Sequence, residues 1–234
     1  PRDRRQRQMC IRDRLISFAL MKRIEKAEKI AEILEQLYPK TPVPLNHYSA
    51  YTLLVAVMLS AQTTDKKVNE VTPKLFKHAD TPEKMVLLEV ETIRDFIQQI
   101  GLAPTKAKNL KKMAEQIIEG GGLRGEWDYL ESLAGVGHKT ASVVMSQWYG
   151  YPAFPVDTHI HRLGKRWGLT KGKNVEMTER DLKKIWPKDL WNKLHLQIIF
   201  FGREFCPARN HDLNKCKICS WAASKRAKKE ELKK

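Results

Sequence analysis

The chain has no apolar run long enough to cross a membrane. Its longest runs, 15–21 (broken by Ser17) and 53–59, fall far short of the roughly 20 residues a spanning helix needs. It also has too few cysteines for a disulfide framework. There are four in 234 residues, three of them crowded near the C-terminus, a distribution that suits a metal site better. No secretory signal is expected either: the arginines at the N-terminus precede only a short apolar patch, which Lys22-Arg23 follows instead of a small-residue cleavage site. No period-two alternation persists beyond a few residues, and no repeat of solenoid period is present. These absences leave an expected cytoplasmic protein of all-α class. At 42% hydrophobic, it can fill one large core or two smaller ones.

What the chain has in excess is positive charge, with a net +16 and a pI near 9.7. Residues 1–23 carry eight Arg and Lys against two Asp, and residues 225–234 carry six against two Glu. Removing both ends still leaves a body of +6. Basic tails alone would only aid solubility; a basic body favours a polyanionic partner, most commonly nucleic acid. The stretch Arg4–Asp13 (RRQRQMCIRD) has neither helical nor strand period and is similar to a translated adapter. Residues 1–20 are therefore read as a non-native or disordered tail, with Met21 as the expected start.

Helical periodicity dominates the rest. Ile24, Ala27, Ile30, Ala31, Leu34 and Leu37 fall on one face, and Pro39, Pro42 and Pro44 end that helix. Residues 51–59 are apolar nearly all round, which predicts a buried helix. Thr81-Pro82-Glu83 reads as a cap and first turn. Ile93, Phe96, Ile97 and Ile100 form a stripe stopped by Gly101, and a further helix spans 107–118, closed by Gly120-Gly121-Gly122. Asp128 and Glu131 have the spacing of a capping box.

The most informative stretch is Leu133-Ala134-Gly135-Val136-Gly137-His138-Lys139-Thr140-Ala141, two helices joined by a turn with two glycines. Glycines at 135 and 137 would allow positive φ and leave N–H groups uncovered at a helix N-terminus, an anion site blind to base sequence. A lone GxG of this kind is otherwise an ordinary helix–helix turn. Lys139 falls in the first turn of the second helix, where the dipole disfavours an ammonium. A lysine that loses its proton there is a usable nucleophile; one that keeps it is a solvated phosphate contact. Asp157 lies in the apolar, proline-flanked Phe154-Pro155-Val156-Asp157-Thr158-His159, either as a helix N-cap, as a functional carboxylate, or as both.

LAGVGHKTA followed by FPVDTHIHR resembles the helix-hairpin-helix and Gly/Pro-Asp signature of the endonuclease III family of DNA glycosylases. The stretch 59–69 (LSAQTTDKKVN), Ile100-Gly101-Leu102 and Lys106-Ala107-Lys108-Asn109-Leu110 are similar to that family's other motifs, in the same order, so the likeness runs from about Ile24 to Cys206. Several motifs in one order are far more specific than any single one.

The resemblance implies two helical domains flanking a DNA-binding cleft. One is a six-helix barrel over 41–151 with the hairpin at about 128–146; the other is built from 21–40 plus 152–234. It implies a base-excision repair DNA glycosylase with AP lyase activity, acting as a monomer on damaged double-stranded DNA and removing oxidised pyrimidines. Lys139 would attack the flipped sugar, and Asp157 would stabilise positive charge on it. Gln62 would fill the hole left by the flipped base and Leu102 would wedge into the opposite strand, while Gly135, Val136, Gly137, His138 and Thr140 hold phosphate. Without that register, Leu102 is a core residue and Gln62 a polar helix end. The alternatives are a monofunctional glycosylase of the same fold, which would lack the lysine, and a non-catalytic helix-hairpin-helix DNA-binding protein, which would need neither Lys139 nor Asp157.

The chain departs from the family at its C-terminus. Many members hold a four-iron, four-sulfide cluster on cysteines spaced C-x6-C-x2-C-x5-C. Here Cys206 and Cys216 fit, but the second and fourth places fall on Leu213 and Ala222, Cys219 is out of register, and Cys10 lies in the discounted tail. That speaks against a regular four-thiolate cluster. Two readings stay open. Cys206, His211, Cys216 and Cys219 hold zinc or an atypical cluster, or the metal is lost and the loop packs on itself around Ile218, Trp221, Ala222 and Ala223. The balance from sequence falls on no metal; catalysis requires none in either case. Arg209, Lys215 and Lys217 in this loop are either DNA-backbone contacts or a solvated face.

Overall fold

The computed structural model describes residues 22–231, and no strand occurs among the described residues, as the all-α expectation requires. The expectations placed on residues 1–20, Cys10 and Met21 lie outside the described residues. The chain forms two compact units: Pro42–Pro155, and a second made from both chain ends, up to Thr41 and from Val156 onward.

The Pro42–Pro155 unit contains α2 (Ala50–Ser60), α3 (Asp65–His78), α4 (Pro82–Val86), α5 (Val90–Phe96), α6 (Ala103–Glu119), α7 (Trp127–Ser132) and α8 (His138–Gln147). Every residue of α2 from Tyr51 to Leu59 is buried. A helix apolar on all sides must be surrounded, and α3, α6 and α8 pack around this one. Ser49 fixes its start: the Ser49 hydroxyl accepts the Thr52 N–H at 3.1 Å, and the Thr52 hydroxyl accepts the Ser49 N–H at 2.9 Å. α4 starts as expected, with the Thr81 hydroxyl accepting from the Lys84 N–H at 3.4 Å and Pro82 in the first turn. The predicted box of Asp128 and Glu131 does not form. Trp127 packs against the core and draws the start of α7 one residue ahead of Asp128, while Glu131 instead holds the His138 ring Nδ1 at 2.7 Å.

The unit of chain ends holds α1 (22–37), α9 (Thr158–Arg166), α10 (Val175–Lys183), a 3-10 turn (Lys188–Leu190), α11 (Trp191–Glu204), α12 (Cys219–Ala222) and α13 (Lys225–Glu231). α1 buries Ala27, Ile30 and Leu34, and polar bonds fasten it to segments more than 140 residues away. The Trp186 indole donates to the Ala27 carbonyl at 3.0 Å, and Gln197 Nε2 donates to Glu35 and to the Tyr38 carbonyl, each at 2.9 Å. Lys26 Nζ donates to the carbonyls of Trp167 at 2.9 Å and Ala222 at 3.2 Å. One ammonium thus serves the C-terminal ends of both α9 and α12, where unpaired carbonyls and the helix dipoles favour a cation. Lys26→Met, which keeps the aliphatic stem, is expected to cost about 1–3 kcal/mol. Urea denaturation checks this: the midpoint falls while the m-value stays constant.

Candidate functional site

The hairpin between α7 and α8 has two glycines with different reasons. Gly135 has φ +77°, and a Cβ there would meet Met58 Sδ at 2.9 Å and the Asn109 side chain at 3.0 Å. Both the backbone and the space demand glycine. Gly137 departs from the sequence expectation of positive φ. Its φ is −96°, and a Cβ would meet nothing within 4 Å. Its effect is on the surface: as the N-cap of α8 it has no side chain to accept the first-turn N–H groups, so the positive end of the helix is left without a side-chain cap.

The neighbouring residues divide. Lys139 is exposed at the second position of α8, and Thr140, next to it, is half-buried. His138 is exposed, bonded to Glu131 and stacked on the Trp127 ring at 6.1 Å between centroids. Val136 is placed otherwise than a phosphate contact would be. Its side chain is buried in the core and its N–H donates to the Leu133 carbonyl at 3.0 Å, so it anchors the turn. The Ala134 N–H is likewise used, by Gln116 Oε1 at 2.7 Å.

Gln62 and Leu102 share a property that the sequence did not reveal. Among the described residues only Gln62 (φ 59°), Leu102 (φ 61°) and Asn210 (φ 53°) are non-glycines with positive φ. Such a backbone costs about 1–3 kcal/mol per residue and collects at functional sites. Leu102 is 59% exposed, so the alternative of core packing does not hold, and Gln62 is exposed just past α2. The two loops run close together: a Cβ on Gly101 would lie 3.8 Å from the Gln62 carbonyl oxygen. Lys106 binds them together. It is buried, and its Nζ donates to the carbonyls of Leu59 at 2.9 Å and Ala61 at 2.6 Å, tying α6 to the end of α2. Burial pushes its pKa below the usual lysine range. Sequence reasoning quoted Lys106 only as part of a family motif and gave it no role, yet its place between Ala103 and Leu110 on the buried stripe of α6 is a usable signal.

Asp157 lies in the other unit, where it is the N-cap of α9: its Oδ1 accepts the Ile160 N–H at 2.8 Å. It is half-buried beside buried Phe154, Pro155 and Val156. Two residues on, burial holds the His159 imidazole below its ordinary range, against the opposing pull of Asp157. Further along α9, Arg162 Nη2 donates to the carbonyls of Gly202 at 3.1 Å and Cys206 at 3.0 Å, and Arg166 Nη1 donates to Cys206 Sγ at 3.0 Å.

Cys206, His211, Cys216 and Cys219 are all buried, and their ligand atoms lie within 4.8 Å of one another, a group that could hold a metal ion. The reading of a self-packed loop is corrected in part. Ile218, Ala222 and Ala223 are buried, but Trp221 stands 36% exposed beneath the Lys29 ammonium. Arg209, Lys215 and Lys217 are exposed, with Lys215 3.8 Å from Asp212 and Lys217 over the Phe205 ring.

The family pattern of the HhH-GPD superfamily base excision DNA repair proteins matches residues 55–188. Endonuclease III of Treponema pallidum (strain Nichols) is 40% identical over 199 residues, covering 83% of this chain and 94% of that protein. Endonuclease III of Escherichia coli (strain K12) is 40% identical over 200 residues, with the same coverage of each. Among solved structures, a non-covalent endonuclease III–DNA complex superposes with a TM-score of 0.84 at 35% identity, over 90% of this chain and 99% of that one. A trapped endonuclease III–DNA covalent intermediate superposes with a TM-score of 0.83 at 35% identity, over 89% and 98%. No helix among the described residues is long and apolar enough to cross a membrane.

The two hairpin glycines should separate on substitution. Gly135→Ala combines a left-handed backbone with a clash against α2 and α6 and is expected to cost about 2 kcal/mol or more. Gly137→Ala should stay within about 0.5 kcal/mol of the parent. Thermal or urea melts of both variants check this; equal destabilisation would refute the division of roles.

Proposed function

This chain belongs to the endonuclease III family, within the HhH-GPD superfamily of base excision DNA repair proteins, and from that membership we propose which residues carry its reaction. Its activity is that of a bifunctional DNA glycosylase and AP lyase, removing oxidised pyrimidines from duplex DNA and cleaving 3′ to the abasic site by β-elimination.

Lys139 is the nucleophile. Its neutral amine attacks the sugar C1′; the bond from C1′ to the base breaks, and its electrons leave with the base, which takes up a proton. The sugar ring opens to a Schiff base between Lys139 and C1′. Loss of a C2′ proton then drives departure of the 3′ oxygen, which breaks the strand, and water releases the lysine. Asp157 stabilises the positive charge that builds on the sugar as the base leaves. One of its oxygens caps α9 and restricts the carboxylate's direction; the second oxygen is the one this reading assigns to the sugar. The uncapped start of α8 receives a phosphate, with Gly137 giving it close approach and Thr140 beside it. Leu102 enters the stack and Gln62 takes the vacated place, both held by the Lys106 tie.

The observation that carries this reading is the exposed lysine on the first turn of a helix whose glycine cap leaves its N–H groups open. A lysine is what separates this chemistry from simple base removal. Borohydride reduction with a duplex containing an abasic site should trap the chain covalently, and Lys139→Gln should lose both trapping and nicking by at least about a thousandfold while binding DNA within a few-fold of the parent. Asp157→Asn retains a competent cap and should leave the melting midpoint nearly unchanged while lowering base excision about a hundredfold. A Lys139→Gln protein that still nicks would sink the assignment.

A further inference from the structure

The residues of the loop between α11 and α12 do not fit the family's four-iron cluster. In such a cluster each thiolate caps a different iron, so the four ligands stand apart with the whole cube between them. Here Cys206 Sγ and Cys219 Sγ are 3.6 Å apart, and all four ligand atoms lie within 4.8 Å of one another. The places that the family spacing gives to the second and fourth cysteines hold the side chains of Leu213 and Ala222, both buried. There is room between these ligands for one ion and not for four.

A single tetrahedral ion does fit. Two thiolates bound at 2.3 Å to one zinc ion stand about 3.8 Å apart, close to the observed 3.6 Å separation. Three thiolates and one imidazole form a closed ligand set of the structural kind, with two of the sulfurs supplied by the short Cys216-x2-Cys219 turn. The Cys219 N–H already points at Cys216 Sγ at 3.5 Å.

The second, independent observation is His211. It is 6% exposed, and both ring nitrogens are buried with no hydrogen-bond partner. A buried imidazole with neither nitrogen satisfied is costly, and coordination removes that cost at one of them. The positive φ at Asn210 turns the chain immediately before it. Charge is also balanced. Zinc with three thiolates carries one negative charge, and the Arg166 guanidinium donates to Cys206 Sγ at 3.0 Å, the outer contact a thiolate ligand calls for.

We propose that Cys206, His211, Cys216 and Cys219 bind one zinc ion, which replaces the family's iron–sulfur cluster as the brace of the loop between α11 and α12. Through Arg162 and Arg166 that loop is gripped by α9, the helix that Asp157 caps, so the ion holds the acid's helix in place without touching the reaction.

The test is metal and sulfide analysis of the full chain purified without added metal, followed by Zn2+ titration of chelator-stripped protein. One zinc per chain, no acid-labile sulfide and 1:1 rebinding are expected. Iron with sulfide, one iron without sulfide, or failure to rebind Zn2+ would each overturn the proposal. Co2+ in place of zinc should give the visible bands of a tetrahedral, thiolate-rich site; an octahedral spectrum counts against it. His211→Ala should weaken zinc at least a hundredfold in chelator competition, and His211→Cys should retain it. If His211→Ala fails to fold, the Co2+ spectrum of the parent chain decides.

Discussion

Between the hairpin turn and the surface made by α2 and α6 there is no space for one additional carbon. Met58 of α2 and Asn109 of α6 press against the place where a side chain at 135 would begin. That contact fixes the turn to the most buried helix of its unit, and it fixes α8 with it. The other candidate DNA contacts of this unit depend on the same two helices. Gln62 follows the end of α2, Leu102 precedes the start of α6, and Lys106 joins those two ends through two carbonyls. The strain of two left-handed residues persists because the packing beneath them overdetermines the backbone.

In the other unit the corresponding role belongs to α9. Asp157 at its start is oriented by its own capping bond, so the acid's position depends on where the helix axis lies. The axis is held from the far end. Lys26 satisfies the terminal carbonyl of Trp167, and Arg162 and Arg166 reach across to Cys206. A helix nine residues long is too short to hold itself in water, so these tertiary ties, and not its propensity, keep the carboxylate in place.

How much of this was legible in the sequence follows from which physical signals are local. The buried α2, the cap at Thr81, the glycine at 135 and the N-cap at Asp157 each rest on a short pattern, and each was readable. Positive φ at Gln62 and Leu102 was not, because neither residue type prefers that region; only tertiary packing imposes it. Gly137 was misjudged for the converse reason, since glycine permits positive φ without requiring it. The capping pair of Asp128 and Glu131 lost to the burial of Trp127, a tertiary gain larger than one cap. Lys106 stands in a quoted motif but has no role in the sequence reading, because a lysine on an apolar stripe is ordinarily taken for a solvated one whose stem alone is covered.

The thiol loop was legible in its ligand types but not in its convergence. Spacing compared with the four-cysteine pattern shows two missing ligands and argues for loss of the metal. The folded loop shows something else: the histidine five residues after Cys206 turns inward, and Cys219, out of register in the linear pattern, lies beside Cys206. What this loop gives α9 is a grip through Arg162 and Arg166, and rigidity there needs only a closed set of ligands around something that draws them together. Once Leu213 and Ala222 fill the space where further sulfurs would stand, a cube no longer fits, while a single tetrahedral ion meets the same mechanical requirement with the four ligands that remain. The catalytic motifs can therefore stay in order while the group that braces them changes.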